Sequence, residues 1–336
     1  MATIISRKKR PTVLRRAIAC VALVVFSILF IEWFAIQSDG THSAAARDIS
    51  IPNRGESKQR AGSLAAAELV AEILACTSCR QWEKREEAWN RRRKERMGLL
   101  RRVRSLEKNS VNFLLQPEYL CNEGIPERIG GTEDGGKFVC LEHVPKESTN
   151  QPCLIYSVGS ADDFSFEEAV RSQNSNCEVH IFDPTVSLSA RGTELLEQIG
   201  AKYHIMGVSF AEVEKFVLGP LRPLTAIMKQ LNHSAQPLTI LKIDCEACEW
   251  MAFTGDIFPA MKNGTLRLEQ LQIELHLDST DISKLYQFFK MADENGLRMV
   301  SAEYNRWAPP VSYCAEFSFV LSERPASCAL PQCRLA

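Results

Sequence analysis

A chain of 336 residues with 45% apolar and 24% charged content is long enough for one large globular domain plus extensions, which excludes a wholly disordered or fibrous protein. Its net charge of -1 is near neutral, and no nucleic-acid partner is expected. The charge is nevertheless laid out unevenly, and the amino terminus carries the first signal.

Arg7, Lys8, Lys9, Arg10, Arg15 and Arg16 precede an apolar stretch, Ala17 to Ile36, interrupted by Glu32. At roughly 1.5 Å per residue the stretch makes about 30 Å of helix, enough to cross a bilayer. No Lys or Arg follows until Arg47. The positive-inside rule then gives residues 1–16 as a cytosolic tail, 17–36 as a transmembrane signal-anchor and the rest as lumenal. The expectation is a single-pass type II membrane protein of the Golgi or another secretory compartment. A cleaved signal peptide, with Ala44, Ala45 and Ala46 as cleavage site, is the alternative and would make the chain secreted. Of the twelve cysteines, Cys20 lies in the apolar stretch and an odd number remains for the lumen. Disulfides are expected there, with at least one cysteine left over or paired between chains. Asn232-His-Ser234 and Asn263-Gly-Thr265 are glycosylation acceptors in that compartment.

Residues 37–110 read as a stem. The segment is polar and small up to Arg60, and from Ser63 to Leu106 it is helical, with Leu64, Ala67, Leu69, Ile73 and Leu74 at helical spacing. Self-association of the stem is possible, and the Arg91 to Arg96 cluster reads as a solvated face. The globular domain is placed at 111–325, with a short tail at 326–336. Its first distinctive segment, Arg128 to Cys140, has two glycine pairs that suggest a hairpin.

Strands and helices then alternate. Strands are expected at Pro152–Val158, Glu178–Phe182, Lys202–Val208, Leu238–Asp244, Leu268–Leu277, Leu297–Tyr304 and Ala315–Leu321. Helices are expected at Phe164–Ser172, Ser189–Gly200, Glu212–Leu218, Glu249–Phe258 and Ile282–Asn295. This alternation predicts an α/β fold with a doubly wound, mostly parallel sheet, which binds ligands outside the carboxyl ends of its strands. At those ends stand Val158, Gly159 and Ser160, then Asp183 and Pro184, then Asp244 and Glu246, then His276 with Glu274 two positions earlier. A core strand has no need of so many ionisable groups, because burying an unpaired carboxylate is costly. Gly159 permits close backbone approach, and Asp183 stands where an acid commonly accepts from ribose hydroxyls. Together they point to an adenosine-type cofactor.

Phe182-Asp-Pro184, followed by Leu241-Lys-Ile-Asp-Cys-Glu-Ala-Cys-Glu249, resembles the corresponding motifs of FkbM-type S-adenosylmethionine-dependent methyltransferases, in particular their single-pass methyltransferase-like relatives. The likeness covers roughly Leu120 to Leu321. It implies a Rossmann-like class I methyltransferase fold using S-adenosylmethionine, with Val158, Gly159, Ser160, Asp183 and Pro184 at the cofactor. It also implies that Asp244, Glu246 and His276 face the transferred methyl group. Ala161 and Ala247 stand where the family has glycine.

The Cys245-x-x-Cys248 pair interleaved with these acids could be a structural disulfide, a buried thiol pair, a redox motif or half of a zinc site. A zinc reading needs a companion pair, and Cys76-Thr-Ser-Cys79 lies in the stem with no histidines near it; no metal site is expected, and the structural reading is preferred. The functional expectation is O-methylation of a glycan or secreted-protein acceptor, with His276 or Asp244 as base and Glu246 orienting the acceptor. The alternatives are a Mn²⁺-dependent Golgi glycosyltransferase, with Asp244-Cys-Glu246 as metal site, and a catalytically silent methyltransferase-fold scaffold.

Overall fold

The structure is a computed structural model, and it describes residues 54–103, 116–132, 135–277, 282–305 and 313–333. The expected anchor at 17–36 lies outside them. Among the described residues no helix is long and apolar enough to cross a membrane. The chain divides into two units, Met1–Ala66 and Ala67–Ala336. Of the first, only the opening turns of helix α1 (Arg54–Arg102) are described; all that follows concerns the second.

A short hairpin, β1 (Glu127–Ile129) with β2 (Lys137–Val139), precedes the main sheet, as the glycine pairs predict. The core of the fold is β3 (Leu154–Val158), α2 (Ser165–Gln173), β4 (Glu178–Phe182), α3 (Ala190–Ile199) and β5 (Lys202–His204). A small sheet interrupts, made of β6 (Gly207–Val208), β7 (Val213–Phe216) and β8 (Gly219–Arg222) and followed by α4 (Leu224–Gln230). The chain returns through β9 (Leu238–Ile243), α5 (Glu249–Ala252), a π-helical turn (Phe253–Ile257) and α6 (Phe258–Lys262). It closes with β10 (Leu268–Leu277), α7 (Ile282–Glu294), β11 (Leu297–Tyr304) and β12 (Tyr313–Leu321).

The main sheet has the order β11-β12-β10-β9-β3-β4-β5. Neighbours from β10 through β5 run parallel, and β12 is inserted antiparallel between β10 and β11. Chain order runs outward from β3 to β5, then restarts on the other side of β3 with β9. Strand order therefore reverses between β3 and β9, which opens a crevice at their carboxyl ends. The period of two places the core: on β3, Leu154, Tyr156 and Val158 join the cluster under α4 to α7, whereas Ile155, with Cys153 just before the strand, joins the one under α2 and α3.

Three expectations need correction. Glu212–Leu218, expected as a helix, is the β7 side of a hairpin in which Val213 pairs with Leu221 and Phe216 with Gly219. The β-branched and aromatic residues favour a strand, and Gly219 is needed because a Cβ there would lie 1.9 Å from the Ile205 carbonyl oxygen. Lys202–Val208 splits between two sheets, and α4, which starts behind Pro223, had no sequence signal strong enough to call.

The third correction concerns the stem. From Ala67 onward α1 belongs to the domain, and Trp89, Arg96, Met97 and Leu100 are buried. Arg96, expected on a solvated face, is 2% exposed. Its Nε donates to Glu118 at 2.6 Å and its Nη2 to Asp293 at 2.9 Å, and its guanidinium lies 4.2 Å from the Phe289 ring centre. Arg298 sits 3.5 Å over the Trp89 ring and donates to Glu86. A charge-rich helix can dock when its charges are paired one by one. The expected tail is likewise held: Cys76–Cys333 and Cys79–Cys328 bridge α1 to the turns at Ala326–Ala329 and Pro331–Cys333.

Candidate active site

The loops after β3 and β9 meet at the crevice. Gly159 (φ 77°) donates to the Phe182 carbonyl at 2.9 Å, and the Asp244 amide donates to Val158 O at 2.9 Å. A Cβ on Gly159 would lie 1.7 Å from the Asp244 carbonyl oxygen, so only glycine fits. Val158, Ser160 and Pro184 are buried around this turn.

Ala161 (φ 48°) and Ala247 (φ 80°) both occupy the left-handed region. This chain thus meets a left-handed backbone requirement with a Cβ at both positions, at a cost of about 1 kcal/mol each relative to glycine before the unfolded-state entropy of glycine is subtracted. Ala247→Gly is expected to raise stability by about 0.5 kcal/mol, read as a higher midpoint in guanidinium unfolding. A lower midpoint would show that this loop does not hold the left-handed form.

Asp183 is 2% exposed. Its Oδ2 accepts from the amides of Ser160 and Ala161, each at 3.0 Å, and its Oδ1 from the Thr185 amide at 2.8 Å and hydroxyl at 2.6 Å. Burial alone would raise the carboxyl, but these donors outweigh it and hold it below its ordinary value. The residue expected at the ribose therefore orders the loop that carries Ser160 and Ala161 through Oδ2 and its own following turn through Oδ1.

Asp244, Glu246 and His276 do come together. His276 Nε2 lies 3.3 Å from Glu246 Oε2 and 3.9 Å from Asp244 Oδ1, and Nδ1 lies 2.5 Å from Oε1 of the buried Glu249. Burial lowers the imidazolium, but the Glu249 bond, with Glu274 and Asp244 adding charge, pushes it up to about 9. Beside it, burial and the charges of Asp244 and Glu316 push Glu274 up to about 8. Burial would lower Lys137, but Glu316 outweighs it and holds the ammonium above its ordinary value. The Cys245–Cys248 disulfide closes the loop that carries Glu246. Asn232 and Asn263 are both exposed, on turns remote in sequence from these loops.

Two consequences follow for His276. A value of about 9 makes it a donor at neutral pH, which favours Asp244 of the two bases expected, His276 or Asp244. Its contribution to stability is complete below the ordinary histidine value of about 6.5 and is lost as pH rises through about 9. In proton-detected titration of the imidazole, the midpoint should stand near 9 in the parent and fall in Glu249→Gln. A parent midpoint at the ordinary value would remove the ion pair from the site.

One pair escaped the sequence altogether. Lys242, next to the carboxyl end of β9, is 5% exposed and reaches through to the β3 turn, donating to Gly159 O at 3.1 Å and lying 3.8 Å from Oε1 of the fully buried Glu167. The signal was present as a lysine inside an otherwise apolar strand, Leu238 to Ile243. Such a residue either breaks the strand or finds a buried partner.

Strand order, the glycine turn at the switch point and the acidic strand ends together define a Rossmann-like methyltransferase fold. The chain belongs to the methyltransferase domain family, which it matches over residues 81–321; that match includes the buried Trp89, Arg96, Met97 and Leu100 of α1. It is 27% identical over 180 residues to the human "Probable methyltransferase-like protein 24", covering 48% of this chain and 46% of that protein. It is 28% identical over 192 residues to the rat protein of the same name, covering 52% and 49%. The chain thus spans about half the length of the curated relatives it matches. Among solved structures it is similar to the N-methyltransferase NodS of Bradyrhizobium japonicum WM9, with 11% identity, 52% of this chain, 86% of that chain and a TM-score of 0.29. It is also similar to the Methanococcus jannaschii fibrillarin pre-rRNA processing protein, with 9% identity, 59% and 83% coverage and a TM-score of 0.31.

Proposed function

We propose that the protein is an S-adenosylmethionine-dependent methyltransferase of the secretory pathway that methylates an oxygen of a glycan or secreted-protein acceptor. The observation that carries the reading is the meeting of the Gly159 turn with the Asp244 loop at the β3/β9 switch point, beside a cluster of carboxylates. That donor set suits a cofactor bearing a sulfonium cation. Gly159, Ser160 and the loop that Asp183 orders would hold the cofactor, which supplies an electrophilic methyl group when bound. Asp244 is then the group placed to take a proton from a hydroxyl acceptor. The His276 imidazolium, fixed by Glu249, orients the acceptor oxygen or its partner carboxylate Glu246. The five disulfides among the described residues support an oxidising compartment.

The test is thermal denaturation of the full-length chain with small molecules. S-adenosylhomocysteine should raise the melting temperature of the parent and leave Gly159→Ala unchanged. Stabilisation by a UDP-sugar with Mn²⁺ instead would replace methyl transfer with glycosyl transfer, and no response to either would favour a silent scaffold. Glycans on Asn232 or Asn263, removed by a glycosidase, would support the lumenal placement; their absence, with a protease-sensitive carboxyl terminus in microsomes, would overturn it.

A further inference from the structure

The far half of β4 carries a second cluster that methyl transfer does not use. His180 and His233 are buried, at 1% and 5% exposure, and Glu178 stands at the sheet margin. Glu178 Oε1 lies 3.0 Å from His180 Nε2, and Oε2 lies 3.7 Å from His233 Nε2. One donor atom from each of the three residues falls within 4.8 Å of the others. In a tetrahedron with metal–ligand bonds of about 2.0 to 2.1 Å, donor atoms stand about 3.3 Å apart. The two separations run to different oxygens of Glu178, so one carboxylate oxygen has to turn to meet both imidazoles at that spacing.

The outer nitrogens are also arranged for it. His180 Nδ1 lies 2.9 Å from His204 Nε2, and His233 Nδ1 lies 2.7 Å from the Tyr156 hydroxyl. If His204 and Tyr156 each accept from Nδ1–H, both imidazoles present a bare Nε2 toward the Glu178 carboxylate. Supporting contacts of this kind orient histidine ligands of metals. The His180–His204 stack, with interplanar angle 1°, fixes the ring plane.

We propose that Glu178, His180 and His233 form a binding site for a divalent transition cation of borderline softness, of the Zn²⁺ type, supported by His204 and Tyr156. Two imidazoles and a carboxylate suit that ion, and three protein ligands leave a fourth position for water. Lys202 Nζ, which donates to Glu178 Oε1, is the one cation facing the site from β5; it can remain on that oxygen while Oε2 turns to the metal. The site lies at the opposite end of β4 from Asp183, about 16 Å away at roughly 3.3 Å per residue. Its expected role is to pin β3, β4 and the loop after α4, with no part in methyl transfer.

The experiment is equilibrium dialysis of chelator-stripped full-length protein against Zn²⁺ with metal quantification, and against Co²⁺ with visible absorption. The parent should take up a single ion per chain, with the intense absorption of tetrahedral Co²⁺. Tyr156→Phe should weaken binding about ten- to a hundredfold, and Glu178→Gln/His233→Gln should abolish it. Stabilisation by S-adenosylhomocysteine in the metal-free state should persist in both variants, which shows that they are folded and keeps this test separate from the cofactor reading. Should the double variant not fold, Glu178→Gln alone, at the half-exposed margin, must lose the Co²⁺ band. Uptake by the parent no greater than by these variants would leave the cluster a hydrogen-bond network and overturn the proposal.

Discussion

Asp183→Ala is expected to destabilise the domain by roughly 3 to 5 kcal/mol and to abolish S-adenosylhomocysteine binding with it. The carboxylate accepts from five donors, three of them backbone amides, and is closed to solvent. Its loss leaves those amides buried without a partner, each a desolvation penalty. The β3 turn then loses its anchor at Ser160 and Ala161, next to Gly159. Asp183→Asn tests the charge: the amide nitrogen cannot accept, so one pair of donors stays orphaned and the loss should be intermediate. The pH dependence has a definite sign. Because the folded-state carboxyl is held below its ordinary value, its contribution is complete above about 3.9 and is lost as pH falls through the depressed value. Denaturant unfolding with calorimetry on the same samples measures both effects. A variant as stable as the parent that still binds about ten- to a hundredfold more weakly would return Asp183 to the ribose.

The contacts of Asp183 show what the sequence could carry and what it could not. The strand-like runs at Leu154–Val158 and Leu238–Ile243 alternating with helices, and the acids just beyond the strand ends, were enough for the mostly parallel sheet and the convergence of Asp244, Glu246 and His276. Which oxygen meets which donor was not legible, because Asp183 and Ser160 sit on loops whose contact depends on the β3–β4 pairing. The histidine cluster was hidden for the same reason: His180, His204 and His233 lie far apart along the chain and converge only through strand register and the turn after α4. The helix α1 misled in the opposite direction. Its charges read as solvated because their partners, Glu118, Asp293 and the Trp89–Arg298 stack, come from distant segments.

The cysteines of α1 give the other large effect. Cys76–Cys333 and Cys79–Cys328 close loops of 257 and 249 residues, so in the chain-entropy account the first bridge to form is worth about 5 kcal/mol. With either in place, the second closes only the small ring made by the short segments between the paired cysteines, a loop of about 10 residues worth about 2.5 kcal/mol. The two bridges are therefore strongly non-additive. Cys76→Ser/Cys333→Ser, or Cys79→Ser/Cys328→Ser, should each cost about 2.5 kcal/mol, and the quadruple variant about 7 to 8. The excess in the quadruple variant measures the restraint that the first long loop places on the unfolded chain; packing of Trp89, Met97 and Leu100 and the Arg96 pairs hold α1 in every variant. Guanidinium unfolding of the three variants and the parent completes the cycle. If the quadruple variant loses no more than either double variant, the bridges do not restrain the unfolded chain in the same way, and the docking of α1 rests on its buried face alone.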